Sequence, residues 1–125
     1  MNALNAKSIL VGRDISSTEA ELKDIPMVTS GHQVISEKVI ALKPDLVIID
    51  ASTGPRSAIE QIKSAGIKVV QTPESWTLAE ISTKVSAVAS AIGAPAQGDL
   101  LNQKIKDQSV AKKVSGKPTV AFLYL

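Results

Sequence analysis

The chain has 125 residues, 44% apolar and 21% charged, which suits one domain with a buried core and not a disordered segment. Its net charge of +2 comes from interspersed acids and bases, without a lysine-rich block, and Trp76, Phe122 and Tyr124 are the only aromatics. That argues against nucleic acid, which needs a concentrated basic face or stacking platforms, and the absence of cysteine excludes thiolate metal sites and disulfides.

In chain order, Ser8–Gly12 (SILVG) reads as a first strand. A polar stretch follows to Asp24, and Pro26 separates it from a short extended piece, Met27–Thr29. The polar loop Thr29–Gln33 holds Gly31 and the single histidine, His32. Val39, Ile40 and Leu42 predict a brief helix that ends at Pro44, because the residue before a proline disfavours the α region. Leu46–Ile49 (LVII) is a short β-branched run that suits a central strand covered on both faces and nearly fully buried.

Asp50–Pro55 (DASTGP) is a turn by composition. Ser57 and Glu60 have capping-box spacing, which predicts a helix from near Ser57, closed by Gly66. Ile67–Gln71 is the next strand. Thr77 and Glu80 repeat the capping-box spacing ahead of Leu78, Ile81, Val85, Val88 and Ile92, the clearest amphipathic helix, which stops at Gly93. Ala94–Gly98 reads as a break. Asp99–Val114 reads as a second, more polar helix, ended by Gly116-Lys117-Pro118, and Thr119–Tyr124 as a last strand.

Strands alternating with helices predict an α/β fold with a mainly parallel sheet and right-handed crossovers. Ligands bind such sheets beyond the carboxyl ends of the strands. The loops Arg13–Ser17, Asp50–Pro55 and Thr72–Trp76 would occupy that edge.

The stretch VISEKVIALKPDLVIID, followed by QIKSAGIKVV, resembles the helical-backbone (class III) substrate-binding proteins of ABC importers, the iron-complex and cobalamin family and in particular its haem-type members. The resemblance covers roughly Ser8 to Leu125; "LKPDLV" marks the class and not the cargo. It implies a three-layer α/β/α lobe followed by a long inter-lobe helix. The division would be residues 1–95 as an N-terminal lobe lacking its first elements, 96–116 as the linking helix and 117–125 as the first strand of a second lobe. It also implies an extracytoplasmic protein, as a cell-surface lipoprotein or in a periplasm, with leader and lipid anchor outside this chain. Its partners would be haem as transported cargo and the importer's permease subunits.

The same resemblance sets the candidate site. His32 would be an axial ligand of haem iron, with Gly31 beside it allowing close approach. The loop Ser30-Gly31-His32-Gln33 lacks the tyrosine and arginine that many haem-binding relatives carry there, and is similar to the subgroup that uses histidine from the first lobe and tyrosine from the second. Read by itself, His32 is an ordinary solvated loop histidine. Arg56 and Arg13, the only arginines, each follow an expected strand and could pair a haem propionate, or remain solvated. Glu37 would dock onto permease arginines; as a first-turn acid it also suits the helix dipole. Asp50 reads as ordering its turn. Trp76 could wall the cleft or staple the following helix, and the staple is the simpler reading. Phosphate loops, nucleophile elbows and zinc-protease motifs are missing, so the chain reads as a binding protein and not an enzyme. The alternatives are the same fold with a ferric siderophore or cobalamin, or a flavodoxin-like regulatory domain.

Overall fold

The computed structural model describes residues 1–108. The expected last strand, the Gly116–Pro118 stop and the end of the second long helix lie outside the described residues. Two strand pairs and four α-helices follow a segment of short 3-10 turns: β1 (Thr29–Ser30), β2 (Gln33–Val34), α1 (Ser36–Ala41), β3 (Leu46–Ile49), α2 (Arg56–Ser64), β4 (Lys68–Gln71), α3 (Leu78–Ala91) and α4 (Pro95–Gln108). The fold is α/β as expected, with helix outweighing strand. No helix among the described residues is long and apolar enough to cross a membrane.

β3 and β4 are parallel, in the register Leu46↔Lys68 to Ile49↔Gln71, with α2 as their crossover. β1 and β2 form a separate antiparallel hairpin. Every residue of β3 is half-buried and not fully covered, because β4 is the only strand paired with it among the described residues. Full burial falls instead on the helix that covers the sheet. Ala58, Ile59 and Ile62 of α2 are buried, Ile62 completely, and α2 packs against both β4 and α1, where Val39 is buried too.

A second apolar cluster joins Leu4 and Ala6 of the N-terminal segment to Ala89 of α3, flanked by Val85, Val88, Ile92 and Leu101. The α3 stripe seen in the sequence is half-buried at Ile81, Val85, Val88 and Ile92, around the fully buried Ala89, while Leu78 at its start is exposed.

Local signals succeeded and failed for physical reasons. Thr77 Oγ1 accepts from Glu80 N–H while the Glu80 carboxylate accepts from Thr77 N–H, a complete capping box. The same spacing at Ser57 and Glu60 caps nothing. Pro55 takes the N-cap position and α2 begins at Arg56, so Ser57 already lies inside the helix and Glu60 pairs with Lys63 at 3.2 Å. The expected break at Ala94–Gly98 is helix from Pro95 onward, since proline is well suited to a first helical position, where its missing N–H is not needed. The expected strand at Ser8–Gly12 is a 3-10 turn (Lys7–Ile9) and an irregular run, with a single parallel bridge just beyond it, Arg13↔Met27. α1 stops before Pro44 would force it to: Lys43 adopts a positive φ of 48°, a left-handed end usually given to glycine.

Candidate functional site

The parallel register puts Ile49 and Gln71 side by side at the carboxyl edge of the sheet. Asp50–Pro55 and Thr72–Trp76 leave from there. Thr72 ties the two exits together, donating to Ile49 O from its N–H (2.8 Å) and from its hydroxyl (3.2 Å).

The β1–β2 hairpin reaches the same edge. Val34 N–H donates to Gly54 O at 2.8 Å, and Gln33 bridges Gly54. On its other side, the buried Thr29 accepts from Ile15 N–H at 2.9 Å, which joins the Arg13–Ser17 loop. All three expected loops and the hairpin therefore meet along one side of the domain.

His32 is the second residue of a two-residue hairpin loop and is exposed. Gly31, the first, has φ +55°. A two-residue loop with positive φ only at its first position follows the type II′ pattern, which glycine fills without strain. A Cβ on Gly31 would meet nothing within 4 Å, so the backbone conformation and not crowding is what calls for glycine.

Arg56 opens α2 and is exposed, two residues beyond the Gly54 bridge and so on the same edge as His32. Arg13 is engaged within the chain. Its guanidinium group donates to the backbone carbonyls of Ile25 (3.0 Å), Ser17 (3.1 Å) and Asp14 (3.3 Å), and so holds the polar N-terminal loop together. Glu37 is exposed in the first turn of α1, within 3.2 Å of the Ser36 hydroxyl. Ser36 itself is buried against the Gln61 carboxamide, which fixes α1 to α2.

Asp50 orders its turn, as its position suggested. Its Oδ1 accepts from Ser52 N–H (3.0 Å), the Ser52 hydroxyl (2.8 Å) and the Thr53 hydroxyl (2.9 Å), while Thr53 Oγ1 accepts from Asp50 N–H at 3.1 Å. The Ser52 hydroxyl bond, with smaller help from Thr53, the Ser52 N–H and the charge of Lys84, holds this carboxyl below its ordinary value against the opposing effect of partial burial.

Trp76 is not a staple. It remains 83% exposed, although its backbone N–H is held by the Glu80 carboxylate at 2.7 Å and its indole N–H lies 3.4 Å from Glu74.

The contribution of Gly54 could not be read locally. The Asp50-x-Ser-Thr sequence carries a turn signature, but nothing near Gly54 announces a partner twenty residues upstream. Two open hollows, of about 510 Å³ between α3 and α4 and about 620 Å³ beside the N-terminal segment, are lined by none of the candidate residues. Among the described residues, no group of three or more metal-ligating side chains occurs.

A parallel β3–β4 pair with loops gathered at its carboxyl edge is the α/β arrangement in which ligands meet the ends of the strands. A family model described as periplasmic binding protein matches residues 1–125, and the chain belongs to that family. It is 36% identical over 86 residues to an uncharacterized ABC transporter substrate-binding lipoprotein, YvrC of Bacillus subtilis, covering 63% of this chain and 27% of that protein. The crystal structure of the haem-binding protein HmuT matches with a TM-score of 0.71 and 39% identity, over 78% of this chain and 32% of that one. The periplasmic haem-binding protein RhuT from Roseiflexus sp. RS-1, in its apo form, matches with a TM-score of 0.78 and 30% identity, over 85% of this chain and 41% of that one. The chain thus spans roughly a third of the length of these relatives.

Proposed function

We propose that this chain is the N-terminal lobe of an extracytoplasmic haem-binding protein that delivers haem to an ABC-type importer. The observation that carries the reading is His32: the single histidine of the chain stands exposed on a tight hairpin loop, docked at the carboxyl edge of a parallel sheet. The relatives named as haem-binding support the cargo, and the lipoprotein relative supports a surface location.

In this reading His32 is an axial ligand of the haem iron, through a neutral imidazole nitrogen. Gly31 gives the loop its reversal. Arg56 pairs a propionate bidentately. Glu37, on α1, docks onto basic residues of the permease subunits. Residues 1–95 are the lobe, 96–116 the linking helix and 117–125 the start of a second lobe that supplies the opposite axial ligand. The chain performs no chemistry on the cargo.

The test is a titration of ferric haem into the full-length protein and its His32→Ala variant, followed by the Soret band. A band that shifts and an affinity that falls in the variant support the assignment. An unchanged spectrum and affinity overturn the ligand assignment, and a wild type that gives no haem-bound Soret band favours a ferric siderophore or cobalamin on the same fold.

A further inference from the structure

We propose that Asp50 is a positioning residue for the His32 hairpin, acting through the turn that presents the Gly54 carbonyl to Val34; its functional half rests on His32 being the haem ligand. A hairpin with two residues in each strand cannot hold its shape alone in water. This one is braced on both sides. Thr29 is fixed by Ile15 N–H, and Val34 is fixed by Gly54 O at 2.8 Å.

The second brace is only as rigid as the loop that offers it. That loop runs from β3 to α2 and is exposed at Asp50, Ala51 and Ser52. The Asp50 carboxylate closes it, gathering the Ser52 amide and both hydroxyls onto one oxygen, while the Thr53 hydroxyl returns a bond to the Asp50 N–H. Thr53 is thereby fixed immediately before Gly54. Immediately after Gly54, Pro55 is anchored by the first turn of α2, where its carbonyl accepts from Ala58 and Ile59 N–H. Gly54 is held from both sides, and it passes that order to Gln33 and Val34, next to His32.

The experiment uses the full-length protein as wild type, Asp50→Ala, Asp50→Asn, His32→Ala and the double variant His32→Ala/Asp50→Ala. Ferric haem affinity is measured together with amide hydrogen exchange at Gln33 and Val34. Asp50→Ala should weaken haem binding measurably and speed exchange at Val34, with α3 protection unchanged. Asp50→Asn, which keeps an acceptor oxygen in place, should restore most of both. In the His32→Ala background, Asp50→Ala should have no further effect on haem affinity. Wild-type exchange at Val34 in Asp50→Ala overturns the brace. An equal loss of affinity with and without His32 overturns the link to the ligand. Wild-type affinity in His32→Ala overturns the ligand reading itself, and Val34 exchange still reports separately on the brace.

Discussion

A β-carbon built on Gly98 would stand 2.5 Å from the β-carbon of Ala89, a side chain with no exposed surface. α3 and α4 cross at that point, and the glycine is what lets them touch. Asn102 adds polar contacts along the same seam, donating to Ser82 O (3.2 Å) and Ser86 Oγ (2.9 Å). Backbone and β-carbon offer no flexible end that could yield, so Gly98→Val should push the helices apart. We expect a loss of about 1–3 kcal/mol, the usual range for overpacking, measured by urea denaturation. A wild-type midpoint would show that the two helices are not packed at Gly98.

Ile62 and Ile48 separate two views of where the core lies. The composition of β3 suggested a fully covered central strand, but Ile48 is half-buried while Ile62 on α2 is fully enclosed. Ile62→Ala should therefore cost about 2–5 kcal/mol, and Ile48→Ala clearly less. The reverse order in denaturant midpoints would restore β3 as the buried centre.

The depressed carboxyl of Asp50 gives stability a definite pH dependence. The folded state binds the proton less readily than the unfolded chain, whose ordinary value is about 3.8. The contribution is complete above that value and is lost as pH falls through the lower folded value. Asp50→Asn should be less stable than wild type at pH 7, and the difference should vanish as the solution is acidified below the folded value. Glu80, whose carboxylate is held low by the N–H groups of Trp76 and Thr77, adds a slope of the same sign. Urea midpoints at several pH values check this; a gap between the two proteins that widens with acid would contradict it.

Trp76 and Thr77 are neighbours with opposite expectations. Thr77→Ala removes a real cap and should cost about 1 kcal/mol. Trp76→Ala removes a large side chain that packs against little, so the thermal midpoint should hardly move. A fall comparable to that of a core truncation would mean that the indole staples α3 after all.

These contrasts show which information is local. The Thr77–Glu80 cap and the Gly93 stop depend on residues within one turn, and both were legible. So was the parallel β3–β4 pair, because each strand carries its own β-branched run. The first strand was not, because an apolar run becomes a strand only where a partner lies beside it, and Ser8–Gly12 has none among the described residues. The site divides in the same way. His32, Gly31, Arg56 and Glu37 were named through the family resemblance, and the roles given to them are proposals. The Val34–Gly54 contact that sets the hairpin on the sheet edge joins residues far apart in the chain, and it leaves no pattern in either.

Glu37 gives the last expectation, which follows from the docking role proposed for it. The residue is exposed in the first turn of α1, and its neighbour Ser36 is buried against Gln61 of α2. Its backbone position is thus anchored while its carboxylate faces solvent, an arrangement suited to contact with a basic partner. Reversal to arginine sets a positive charge against the positive end of the helix, at about 0.3–1 kcal/mol, which the fold should survive. Like charges facing each other across a docking surface cost far more, and exposed charges of this kind act mainly on orientation and association rate. In the full-length protein, Glu37→Arg should therefore bind haem as wild type does and fail to support haem-dependent growth. A complementary acidic substitution on the transporter should restore it. Loss of haem binding in Glu37→Arg would assign the residue to the cargo surface instead.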